Sequence, residues 1–118
     1  MSGRSVSGRG LGQGASGDLL MKAILHELAE SELLEAAGWY ESRSAGLGHA
    51  FLDEFERCAG IILESPSAFP VASGEVRHML FRRFPYRVLF VPGERYLYVL
   101  AIAHHKRRPG YWIGRNDR

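Results

Sequence analysis

The sequence predicts an α+β two-layer domain: an N-terminal strand, then a helical hairpin packed on an antiparallel sheet, in the order β-α-α-β-β-β. Three observations carry this expectation. Two adjacent stretches show helical apolar spacing, a short Gly-rich break separates them, and three strand-like segments follow, divided by Pro85 and a Pro92-Gly93 turn. A length of 118 residues, 46% of them apolar, suits one domain with one modest core.

The elements follow in order. Residues 1–20 read as a flexible extension, because six of the first seventeen are Gly and no apolar period appears before Leu19. Residues 21–118 form the single expected domain. Residues 22–27 are short and strand-like. From 29 to 44 the pattern is helical, with Leu33, Ala37 and Tyr40 on one stripe that Leu34 and Ala36 widen. Glu30, Glu32 and Glu35 fall in the first turns, where the helix dipole favours negative charge. Residues 44–48 break the helix, and 47–64 begin a second one with Phe51, Phe55, Cys58, Ala59 and Ile62 as its buried stripe. Residues 66–74, with two prolines, read as a loop. Strands are then expected at 76–84, 86–91 and 95–103. The last is apolar on both faces, with Tyr98, Leu100 and Ile102 against Leu97, Val99 and Ala101, so it belongs in the middle of the sheet.

Charge is more informative than its net value of +2. Residues 1–20 balance at +1, residues 21–74 at −6 and residues 75–118 at +7. An arginine-rich second half suits a polyanion or an acidic protein partner; alternatively the two halves pair with each other at the surface. The longest apolar runs, 88–91 and 96–103, fall far short of the roughly 20 residues of a membrane span. The single cysteine, Cys58, forms no internal disulfide, and a cytoplasmic location is expected.

No phosphate loop, paired-cysteine zinc spacing or nucleophile elbow is present. His104 and His105 are adjacent, so on a strand they point to opposite faces and do not jointly chelate; no metal and no cofactor are expected. What remains is arginine with aromatic and histidine neighbours. Arg77, Arg82, Arg83, Arg87, Arg107 and Arg108 lie in or beside the strands, and a continuous strand at 76–84 would put Arg77 and Arg83 on one face and Arg82 on the other. The planar guanidinium fork suits phosphate, and Tyr111 and Trp112 could stack on bases. Phosphodiester cleavage would also need a proton acceptor and a donor, for which His104, His105 and Tyr111 are the candidates.

Four ordered pieces together resemble the RelE/ParE superfamily of bacterial type II toxins. They are Glu35-Ala36-Ala37-Gly38-Trp39-Tyr40-Glu41; Gly46-Leu47-Gly48 with Phe51-Leu52; Arg83-Phe84-Pro85-Tyr86; and Ala101-Ile102-Ala103-His104 running into Arg108-Pro109-Gly110-Tyr111-Trp112. The resemblance covers about residues 21–115 and implies a toxin neutralised by a cognate antitoxin. Relatives of the RelE kind cleave mRNA on the ribosome, whereas those of the ParE kind poison DNA gyrase. On the first pattern the resemblance implies catalytic roles for Arg77, Arg107, Arg108, His104 and Tyr111. On the second, Arg82, Arg83, Arg87, Lys106 and Trp112 are expected to bind the target. The lysines of the RelE pattern are missing, since the chain has only Lys22 and Lys106. The Trp-Tyr-Glu and Pro-Gly-Tyr-Trp elements look closer to the ParE-like, plasmid-stabilisation branch. A ParE-like inhibitor of DNA gyrase or related nucleic-acid machinery is therefore the leading expectation. The alternatives are a ribosome-dependent mRNA endoribonuclease and an inactive relative. The homo-oligomeric state stays open, with Trp39 either exposed for self-association or packed inside.

Overall fold

The computed structural model describes residues 4–5 and 22–116. The elements are β1 (Arg4–Ser5), β2 (Lys22–Leu25), α1 (Glu27–Arg43), α2 (Leu47–Glu64), β3 (Val71–Ser73), β4 (Val76–Leu80), β5 (Tyr86–Pro92) and β6 (Tyr96–His104). They make an α+β fold in which the two helices pack on a mixed sheet of order β1-β2-β6-β5-β4-β3. Most of the expected flexible extension lies outside the described residues. Within it, Arg4–Ser5 pair antiparallel with Leu25 and Ile24 at the sheet edge.

The sheet is not purely antiparallel, because β2 and β6 run parallel, with Ala23 opposite Leu97 and Leu25 opposite Val99. A strand hidden in the expected loop accounts for the difference. Residues 66–74 contain a 3-10 turn (Pro66–Ala68) and β3, which pairs with β4. An up-down helical hairpin returns the chain to the end where β2 leaves it. Four strands then follow instead of three, so the last one runs in the direction of β2. As expected, the two-faced strand β6 lies inside the sheet, between β2 and β5.

Its side-chain alternation differs from simple period two. Leu89 pairs with Ala101 while Phe90 pairs with Val99, so Leu100 is an extra residue, a bulge. The bulge reverses the pattern beyond it. Leu97, Val99 and Ile102 join the helix-side core, and Leu100, Ala101 and Ala103 face the other way. The helix-side core also takes Phe51, Phe55, Cys58 and Ile62 from α2. Burial pushes the Cys58 thiol up to about 12, so it is an inert core group. Leu34 does not widen the buried stripe of α1; it is exposed, as is Trp39, whose ring carries the Arg43 guanidinium at 4.3 Å. No described helix is long and apolar enough to cross a membrane.

The hairpin is closed by Glu41. Its carboxylate accepts the backbone N–H groups of Gly46 (2.9 Å) and Gly48 (2.8 Å), two of the orphan donors at the start of α2. Those two bonds hold its pKa below the ordinary carboxylate value. Gly46 caps the helix with φ of 89°, a conformation side chains resist. Gly48 permits the close approach, since a Cβ there would stand 2.5 Å from the Ala37 carbonyl oxygen.

Gly48→Ala is expected to lower unfolding free energy by about 1–3 kcal/mol in urea denaturation, because the clash outweighs alanine's helix propensity. Gly38→Ala, where a Cβ meets nothing within 4 Å, should raise it by up to about 1 kcal/mol.

Candidate functional site

Beyond β6 the chain crosses the sheet face opposite the helices. Trp112, 3% exposed, packs there with Val76, Leu89 and Ala101. This segment and the ends of β4, β5 and β6 enclose a cleft of about 320 Å³. Its floor is a cross-strand row of Leu80, Arg87 and Ala103. Its walls are His104, His105, Arg107, Arg108, Pro109, Tyr111 and Trp112, and no carboxylate is among the described lining residues.

One carboxylate behind the wall holds it in shape. Glu32 of α1 accepts the Tyr111 hydroxyl (2.9 Å), both Arg115 terminal nitrogens (3.0 and 2.9 Å) and the Ile102 backbone N–H (3.0 Å). Arg115 donates a further bond to the Leu100 carbonyl at 3.0 Å. Arg107 lies 4.0 Å from Glu32, and its guanidinium stands 3.7 Å from the Tyr111 ring centroid. Burial, and then the neighbouring Glu32 charge, push the Tyr111 phenol up to about 12.

His104 ends β6 at the edge of the cleft, with its ring turned to the helix-side face. Its ring packs edge-on against Tyr86 at 5.0 Å, and Nδ1 accepts the Lys106 backbone N–H at 3.0 Å. In the neutral ring that bond uses the lone-pair nitrogen, leaving Nε2 as a donor. Burial, with His105 and Lys106 nearby, lowers its pKa, which favours this neutral form. His78, on the cleft-side face opposite Leu89, has Nδ1 3.5 Å from Arg87 Nη1. Its pKa is likewise lowered, by burial and then by that arginine.

Of the residues singled out by sequence, the cleft gathers Arg87, Arg107, Arg108, His104, Tyr111 and Trp112. It does not gather Arg77. Arg77 pairs with Phe90 and therefore lies on the helix-side face, where it donates to the Phe69 carbonyl at 2.6 Å. The strand arginine on the cleft floor is Arg87. Trp112 is too buried to stack on a base and instead anchors the C-terminal segment. Lys106 is exposed outside the lining.

Arg82 and Arg83 do not continue β4, so the expected alternation of their faces does not hold. The strand ends at Leu80, and a tight turn follows. Phe84 N–H donates to the Arg82 carbonyl (2.6 Å) around Arg83, whose φ is 66°. Glu54, 9% exposed, anchors this turn by accepting the Arg82 N–H (2.6 Å) while holding Arg57 through two bonds. Burial works against ionisation of Glu54, but the Arg57 fork and the Arg82 N–H together keep its pKa below the ordinary value. The turn is tied to the next basic loop, because His105 N–H donates to the Pro85 carbonyl at 2.9 Å.

Glu32, Glu54 and Arg115 were not among the residues the sequence suggested. A signal for Glu32 exists: it is three residues after buried Ala29 and four before buried Ala36, on the border of the apolar stripe. Neither the protein-family models nor the curated proteins give a match to this chain.

Glu32→Ala is expected to cost about 2–4 kcal/mol in denaturant unfolding, since it strands the Arg115 charge and the Ile102 N–H. In Glu32→Gln, alkaline difference spectra should show one tyrosine titrating lower than in the parent. The Tyr111 pKa is above the unfolded value of 10.0, so its contribution to stability is complete below about pH 10 and is lost as pH rises towards 12.

Proposed function

We propose that the chain is a RelE/ParE-type toxin of the ParE-like kind. It docks its basic end on DNA gyrase or related nucleic-acid machinery in the cytoplasm, and a cognate antitoxin neutralises it. One observation carries the choice between docking and cleavage. Two of the three candidate proton-transfer groups are committed elsewhere: the Tyr111 hydroxyl donates to Glu32, and the His104 lone pair accepts from Lys106, which leaves His105 as the exposed imidazole of the cleft. Arg77, the first cation of the cleavage pattern, lies on the far face of the sheet. Leu80, apolar and half exposed, lies on the cleft floor beside Arg87, where it can neither take up nor give a proton.

The quoted four-piece resemblance and the helical hairpin on the sheet support the family assignment. The arginine-lined cleft, with no carboxylate among its described lining residues, supports a polyanionic or acidic target. The antitoxin follows from the resemblance alone.

A second reading is an mRNA endoribonuclease, favoured by the convergence of Arg87, Arg107 and Arg108 with His105 in one cleft.

Purified protein is expected to inhibit gyrase supercoiling and accumulate cleaved gyrase–DNA complexes, while primer extension shows translated messages intact. Unaffected supercoiling beside new, ribosome-dependent 5′ ends that vanish in Arg87→Ala would favour the second reading instead.

A further inference from the structure

The turn at Arg83 holds a backbone conformation that a side chain resists. A φ of 66° together with the Phe84 N–H to Arg82 C=O bond defines a γ-turn of the rare positive-φ kind. Glycine adopts it freely; an arginine does so against the clash of its own Cβ. The conformation is enforced from both sides. Glu54 grips the Arg82 N–H, and buried Phe84 is wedged against Tyr40 and Phe51, at ring distances of 4.9 and 5.0 Å. The Arg83 side chain itself is exposed, its guanidinium 5.4 Å from the Phe84 ring. Strain of this sort persists only where the surroundings over-determine it, and it clusters at binding and active sites.

The surroundings of Arg83 are basic. Through the His105–Pro85 bond, the Arg83 turn and the 105–108 loop form one rim beside the cleft. The rim carries Arg82, Arg83, Lys106, Arg107 and Arg108, with Arg87 on the cleft floor. Arginine dominates, which suits planar oxyanions approached by two parallel N–H groups. No exposed Phe, Tyr or Trp ring accompanies it among the described residues of the rim, where the exposed ring is the small imidazole of His105. Trp112 and Phe84 are 3% and 6% exposed, and Tyr111 is covered by Arg107. Single-stranded nucleic acid is ordinarily held by stacking its bases on exposed rings, so this rim is made for phosphates and not for bases.

We propose that the rim binds the phosphodiester backbone of duplex DNA, without reading its sequence, and that Arg83 is its principal contact. The inference rests on the docking reading and supplies its partner chemistry: the protein grips DNA as well as the enzyme acting on it.

The test is fluorescence anisotropy of the full chain with a labelled random DNA duplex of about 20 base pairs, at about 50 and 200 mM salt and without gyrase. The parent is expected to bind, with affinity falling steeply as salt rises. Arg83→Gly should bind about fivefold more weakly and with a salt slope smaller by about 1. Its melting temperature should be equal to the parent's or higher, because the strain is gone. Arg83→Lys should stay within about twofold of the parent.

Unchanged binding in Arg83→Gly, or a lowered melting temperature, would overturn the role given to Arg83. Polyglutamate bound as tightly as the duplex, or single strands bound more tightly than the duplex, would overturn the partner. Duplex binding with no effect on gyrase would overturn the docking reading and leave this inference standing.

Discussion

Beyond Val99 the parallel partner of β6 has ended, and a carboxylate–guanidinium pair takes its place. The last link to the β2 segment is the His26 N–H on the Val99 carbonyl. From there Arg115 donates to the Leu100 carbonyl and Glu32 accepts the Ile102 N–H, so two exposed strand-edge groups find partners from α1 and the C-terminal segment. Unpaired backbone groups at a buried edge are costly, and a charged pair that satisfies both also fixes what it is attached to. The Tyr111 hydroxyl joins the same carboxylate, and Arg107 lies over the Tyr111 ring. The shape of the cleft therefore depends on one side chain of the opposite layer.

Two further glutamates act in the same manner. Glu41 ties the hairpin turn to α1, and Glu54 ties the Arg83 turn to α2. Each accepts backbone N–H groups that no strand or helix of the fold satisfies. Part of the charge asymmetry along the chain is thus internal pairing across the two layers. Of the remaining positive charges, Arg95 lies in the β5–β6 turn at one end of the sheet, while Arg82, Arg83, Arg87, Lys106, Arg107 and Arg108 collect at the other end, where β4–β5 and the residues after β6 meet. A field concentrated there speeds encounter with a polyanion.

The interactions that build this surface also limit its chemistry. Holding the wall through the Tyr111 hydroxyl withdraws that group from proton transfer, and turning the chain after β6 through His104 Nδ1 withdraws that lone pair. Rigid placement of cations is gained at the same atoms where acid–base capacity is lost, which suits a surface that binds.

The extent of α2, the hairpin break and the interior position of β6 were all legible in the sequence. Each rests on local periodicity, or on glycine and proline at a turn, and neighbours along the chain suffice to express these. The convergence of Arg107, Arg108, His104 and Tyr111 was legible too, because they follow one another closely. Strand β3 was not, since three residues in a proline-rich stretch carry no period. With it went the parity of the sheet and the direction of β6. Arg77 and Arg87 look equivalent along the chain, and only the register opposite Phe90 and Ala103 puts one on each face. Glu32 reads as a dipole-complementing surface charge until the fold brings Arg115, 83 positions away, to its side. Composition and spacing determined which elements form and which charges are available. Tertiary structure decided which charges are consumed in holding the layers together and which remain exposed, because pairing across layers depends on register and not on order in the chain.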